Sequence, residues 1–160
     1  MKSLIFIVLI SINSFAHPHF FIDVDLNIET NKIEHSWKFD KINSRLITFE
    51  FDKNKDGSFQ KDEKSAFYNT HILKAKENNF NIFLESNDKE YIFDQLSNYD
   101  LKIVNRQIVF SFTEKIDEIK NTTLCNIDPT IYMAFKLNKT VSNFNLEVQK
   151  SKYDFCIGVQ

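Results

Sequence analysis

Apolar and polar residues alternate from Phe20 to Glu29, with Phe20, Ile22, Val24, Leu26 and Ile28 in one phase and mostly polar residues in the other. A period of two is that of a half-buried strand. From Lys32 to Asp40 the alternation resumes in the opposite parity, so that Ile33, His35, Trp37 and Phe39 share a face. With Thr30-Asn31 as a two-residue turn, Ile28 faces Ile33, Leu26 faces His35, Val24 faces Trp37 and Ile22 faces Phe39. The other face then pairs Glu29 with Lys32 and Asp23 with Lys38. A slip of one residue would bury the charges, so both faces argue for this one register.

The period then changes. Ile42, Leu46 and Phe49 fall at helical spacing behind Asp40, a good N-cap residue, and predict a short helix. Asp62 to about Asn78 contains strong helix formers and no Gly or Pro, with Ala66, Leu73 and Phe80 roughly in line. After that, short strands are expected at about 81–84, 91–93, 100–104, 107–112, 122–125, 130–137, 143–149 and 153–159. The expected fold is α+β: a mainly antiparallel sandwich or open barrel, with an EF-hand-like helix-loop-helix inserted at about 41–79, between the second and third strands.

Between the two predicted helices lies Asp52-Lys53-Asn54-Lys55-Asp56-Gly57-Ser58-Phe59-Gln60-Lys61-Asp62-Glu63, which has the pattern of a twelve-residue calcium loop. Asp52, Asn54 and Asp56 take the first, third and fifth places, and Gly57 takes the sixth, where the chain turns sharply. Ser58 offers its backbone carbonyl, Gln60 can hold a bridging water, and Glu63 can chelate with both oxygens. A polar surface turn would account for Asp56-Gly57 but not for the carboxylate six residues on. Lys53, Lys55 and Lys61 dilute the negative charge, so the expected Ca2+ affinity is weak, on the order of 0.1 to 1 mM, with the ion clipping two helices together.

The start of the chain indicates where it works. Met1-Lys2, an apolar run from Leu4 to Ile12 and then Ser14-Phe15-Ala16 have the form of a secretory signal peptide cut after Ala16. Residues 17–160 suit a single domain, and no later stretch approaches the roughly 20 apolar residues of a spanning helix. The formal charge is −2 for the full 160 residues, and loss of Lys2 leaves −3. Without a basic stripe, nothing points to nucleic acid or to membrane insertion after cleavage. Cys125 and Cys156, an even pair in an oxidising compartment, read first as a disulfide, and a metal-thiolate pair is the weaker alternative.

Cleavage after Ala16 makes His17 the first residue, combining an α-amine and an imidazole, with His19 two residues on. Imidazole suits Zn, Cu, Ni and Co, so this end can capture a transition metal. Pro18 has no N–H and so excludes the square-planar motif that needs two deprotonated amides. Asp23 and Asp25 project on the same polar face as His19 by alternation. The competing reading is an exposed lead-in to an edge strand, blunted by Pro18. His35 falls on the apolar face as a core histidine satisfied by a neighbour, and His71 reads as a solvent or packing residue. The chain has no nucleophile elbow, phosphate loop, zinc-protease helix or Cys/His catalytic pattern, so no enzyme activity is expected.

Four motifs in order, His17-Pro18-His19-Phe20-Phe21-Ile22-Asp23, His35-Ser36-Trp37-Lys38-Phe39-Asp40, the Asp52 to Glu63 loop and Asp128-Pro129-Thr130-Ile131-Tyr132, resemble the domain of unknown function family numbered 1007. The resemblance runs over essentially all of residues 17–160. It implies a periplasmic accessory of a nickel, cobalt or zinc transport system, with a membrane transporter as partner. It marks His17, His19, Asp23, His35 and Asp40 as candidate site positions, with Asp128 and Tyr132 as weaker ones. The expected function is therefore a periplasmic transition-metal-binding accessory with one structural calcium loop. Two alternatives stand beside it: an interaction module in which calcium is purely structural, and, more distantly, a copper oxidative enzyme.

Overall fold

The computed structural model describes residues 18–160. The expected signal peptide, residues 1–16, and His17 lie outside these residues. Strands β1 (Phe20–Glu29) and β2 (Lys32–Phe39) form the expected hairpin, in the expected register from Ile22 opposite Phe39 to Glu29 opposite Lys32. Both bury their apolar phase, and Val24, Ile33 and Phe39 have no exposed surface.

The other strands are β3 (Ile82–Ser86), β4 (Lys89–Glu90), β5 (Ser97–Val104), β6 (Gln107–Lys115), β7 (Thr122–Asn126), β8 (Met133–Ser142), β9 (Leu146–Lys150) and β10 (Phe155–Val159). They make two five-stranded sheets, ordered β5-β6-β2-β1-β8 and β4-β3-β7-β10-β9, and neither closes into a barrel. All the pairings are antiparallel except β1 with β8, which is parallel and carries an irregularity at Val24/Asp25. One apolar cluster draws on both sheets, from Trp37 and Phe110 in the first to Leu124 and Ile157 in the second. Cys125 and Cys156 sit opposite each other on β7 and β10 and form a disulfide, with their Cα atoms 4.0 Å apart.

A helical segment runs from Lys41 to Asn81 between β2 and β3. Helix α1 (Lys41–Phe51) starts at Asp40, whose Oδ1 accepts from the amides of Ile42 and Asn43 at 2.9 and 3.0 Å. The face it buries is not the expected one: Ser44, Ile47 and Phe51 turn inward and Ile42, Leu46 and Phe49 face solvent. Both sets have helical spacing, and Ser44 distinguishes them. Its hydroxyl donates to the carbonyl of Phe39 and accepts the amide of Ile108 at the start of β6, bonds that pin this side to the sheet.

Helix α2 (Lys61–Phe67) passes into a π-helical turn, Tyr68–Ile72, and then into 3-10 turns, Leu73–Asn81, that end in positive φ at Asn79, Phe80 and Asn81. Ala66 and Leu73, expected to line up with Phe80, are exposed, while Phe67 and Ile72 are buried five residues apart. The π turn advances five residues per hydrogen bond and keeps Phe67 and Ile72 on one side, which a regular period does not anticipate. Asn79 locks the stop: its Nδ2 donates to the carbonyls of Ile82 and Tyr91, and its Oδ1 accepts the amide of Phe93. These bonds hold 91–93 as a strap beside β3, where the sequence pattern predicts a strand.

Candidate functional site

Two neighbouring constructions concern function: the loop between α1 and α2, and the start of β1. In the loop, Asp52 accepts the amides of Asp56 and Gly57 through its two carboxylate oxygens, at 3.2 and 3.1 Å. Asp56 Oδ1 accepts both the amide and the hydroxyl of Ser58, at 2.8 and 2.7 Å. Glu63 joins the loop's ends, its Oε1 taking the amide of Lys53 at 2.7 Å and its Oε2 that of Gln60 at 2.9 Å. Gly57 has φ 78, in the left-handed region that a sharp turn requires.

Asn54 accepts the amide of Asp56 and donates to its carboxylate, and Gln60 Nε2 also donates to Asp56. All six sequence-predicted calcium positions, Asp52, Asn54, Asp56, Ser58, Gln60 and Glu63, thus take part in one hydrogen-bonded loop. The Ser58 hydroxyl, then its amide, holds the Asp56 carboxyl below its ordinary range.

Asp52 and Glu63 are buried, at 7 and 6% exposure. Among the described residues Asp52, Asp56 and Glu63 form no ion pair. A buried carboxylate ordinarily takes a counter-charge. Carboxylates held only by neutral donors therefore fit a cation, and the oxygen-only donor set is that of a hard one. As the side chains stand, no three His, Cys, Asp or Glu among the described residues are gathered closely enough to hold an ion.

At the start of β1, His19 is exposed and its ring lies 5.0 Å from that of Tyr132. The Tyr132 carbonyl accepts the amides of His19 and Phe20, at 2.9 and 3.1 Å. Asp128 builds the turn that delivers Tyr132, accepting from the amide and hydroxyl of Thr130 and from the amide of Met133. From the other side Asn43 on α1 donates to the His19 carbonyl at 2.8 Å, and Asp40 receives the Phe21 amide at 3.4 Å. Burial works against ionisation of Asp40, but the bonds from Asn43, Phe21 and Ile42 outweigh it and hold its carboxyl below the usual range. His19, Asp40, Asp128 and Tyr132, which sequence order scatters, therefore meet around residues 19–21.

Of the four expected transition-metal positions, the three that are described, His19, Asp23 and His35, are not brought together. His17 lies outside the described residues. Asp23 is on the outward face of β1, opposite Lys38, about 13 Å along the strand from His19 at 3.3 Å per residue. His35 points the other way, into the core: it is 2% exposed, stacks on Phe112 at 4.5 Å, and its Nε2 lies 3.1 Å from Glu114 Oε2. His35 and Asp23 lie on opposite faces of the sheet and about 13 Å of strand separates Asp23 from His19, so no single ion can take all three.

Glu114 is the neighbour that partners His35 Nε2, and sequence reading missed it. The signal was present, since Glu114 continues the apolar phase of Ile108, Phe110 and Phe112 on β6. His71, read as a solvent or packing residue, is the latter: it packs among Phe20, Phe51 and Phe67, and burial pushes its imidazole pKa down.

A family model described as protein of unknown function, DUF1007, matches residues 3–156. No curated protein and no solved structure matches the chain. Among the described residues no helix is long and apolar enough to cross a membrane.

Proposed function

The chain belongs to the DUF1007 family of proteins of unknown function, and we propose that it is an exported, non-catalytic accessory of a transition-metal transport system, with a calcium-holding loop that fixes its helical unit. The observation that carries the calcium part of this reading is Glu63 spanning the two ends of a loop in which three carboxylates have no cationic partner among the described residues. The side-chain oxygens of Asp52, Asn54, Asp56 and Glu63 and the Ser58 carbonyl would hold Ca2+, and Gln60 would reach it through water. Side-chain rotation away from the loop's own hydrogen bonds would be needed to turn these oxygens towards one ion. The ion supplies the missing counter-charge and clamps α1 to α2.

The clamp matters because α1 also grips the start of β1, through Asn43 on the His19 carbonyl and Asp40 on Phe21. Holding α1 steadies the segment from which His17 and His19 present imidazole, and His17 its amine after cleavage, to Ni2+, Co2+ or Zn2+. Asp23 and His35 are left out of the ligand set on geometric grounds. The intended recipient of the ion is a membrane transporter, and the location is the periplasm.

Mass spectrometry of the exported form gives its first residue, which this reading expects to be His17. Titration with Ni2+, Co2+ and Zn2+ then compares that form with one carrying an extra N-terminal residue and with His19→Ala. Tight binding only to the unextended wild type supports capture at the N-terminus. Equal binding by all three removes it.

A further inference from the structure

Helix α1 carries two apolar faces. Ser44, Ile47 and Phe51 pack inward, while Ile42, Leu46 and Phe49 are 75, 59 and 84% exposed. At about 100° per residue the two sets centre on nearly opposite sides of the helix. Single exposed apolar residues are ordinary, but three aligned along one helix edge form a stripe that a partner can cover.

We propose that this stripe is the seam along which two copies of the chain associate, their α1 helices side by side and parallel. The spacing of Ile42, Leu46 and Phe49 is that of successive d, a and d positions in a heptad. In the same frame Arg45 occupies g and Glu50 the following e. These are the two positions that meet across a parallel two-stranded seam, so the Arg45 of each copy faces the Glu50 of the other, giving two symmetric ion pairs.

An antiparallel pair sets g against g and e against e, so Arg45 meets Arg45 and Glu50 meets Asn43, and neither charge finds an opposite partner. The charge pattern therefore selects both the occupant and its direction. Arg45 and Glu50 are exposed and form no ion pair within the chain among the described residues. The seam is independent of the metal reading, since it uses none of the residues assigned to calcium or to transition-metal capture.

Sedimentation of the purified protein over a wide concentration series tests the proposal. Wild type is expected to shift from monomer to dimer, and Leu46→Glu to raise the dimer dissociation constant by about a hundredfold or more while matching the melting temperature of wild type at concentrations where both are monomeric. Arg45→Glu weakens the dimer and the double variant R45E/E50R restores it. Under mild oxidation Ile42→Cys chains crosslink to one another, and mixing them with Phe49→Cys chains gives no cross-joined product.

A monomer at every concentration overturns the proposal, as does a dimer indifferent to Leu46→Glu. Joining of an Ile42→Cys chain to a Phe49→Cys chain indicates an antiparallel pair and overturns it as well. Binding of monomers to anionic phosphatidylglycerol vesicles that is lost in Leu46→Glu assigns the stripe to a lipid surface and overturns it too. Should Leu46→Glu fail to fold, the crosslinking pattern decides alone.

Discussion

The Asn43 side chain donates to the backbone carbonyl of His19 at 2.8 Å, tying the first turn of α1 to the first residues of the sheet. Asp40 strengthens the junction, capping α1 while receiving the Phe21 amide. Asp40→Ala removes the cap and is expected to lower stability by about 1 kcal/mol. Asn43→Ala is expected to cost less globally. Amide exchange should show the difference: both variants release the amides of residues 19–21, and only Asp40→Ala also frees those of Ile42 and Asn43.

His35 and Glu114 form a polar pair inside the aromatic core, and neither is fully satisfied. Among the described residues His35 Nδ1 and Glu114 Oε1 have no hydrogen-bond partner. Replacing one member, as in Glu114→Leu, strands the other and is expected to cost roughly 2–4 kcal/mol. The double replacement His35→Leu with Glu114→Leu removes both polar groups and is expected to be near neutral or stabilising. Urea unfolding of His35→Leu, Glu114→Leu and the double variant checks this, and the double variant is expected to lose far less stability than the sum of the two single losses.

The β1–β2 register is legible in the sequence because two independent patterns, one apolar and one charged, fit a single alignment. The loop is legible for a similar reason, since six positions with distinct roles recur at fixed spacing. The buried face of α1 is not: Ile42, Leu46 and Phe49 have helical spacing just as Ser44, Ile47 and Phe51 do, and what marks the inward side is the pair of hydrogen bonds that Ser44 makes beside the buried Ile47 and Phe51. The parallel pairing of β1 with β8 also leaves no local trace, because Phe20 and Met133 are distant in sequence and both strands alternate alike. The meeting of His19 with Tyr132 depends on that pairing, so periodicity alone cannot assemble the platform at the N-terminus.

Lys64 on α2 donates to Asp100 on β5 at 2.6 Å and Lys102 lies 2.9 Å from its other oxygen, fastening the helical segment to the first sheet. Partial burial disfavours the Asp100 carboxylate, but the two lysines and the Leu101 amide prevail and lower its pKa from 3.8 to about 2. A carboxyl with a depressed folded pKa adds stability above its unfolded value and loses it as pH falls towards the folded one. The contribution is therefore full above about pH 4 and gone near pH 2. Partial exposure keeps it small. Acid unfolding of wild type and Asp100→Asn should diverge at neutral pH and converge across that window.

Calorimetric titration of Ca2+ into wild type, Glu63→Gln and Asp52→Asn is the most direct test of the loop as a cation seat and clamp. The account predicts one ion per wild-type chain, with a dissociation constant on the order of 0.1 to 1 mM. It also predicts a matching rise in melting temperature, and loss of both effects in the two variants. Wild-type protein that takes up no Ca2+ at millimolar concentration, or variants that bind it as well as wild type, would contradict the account.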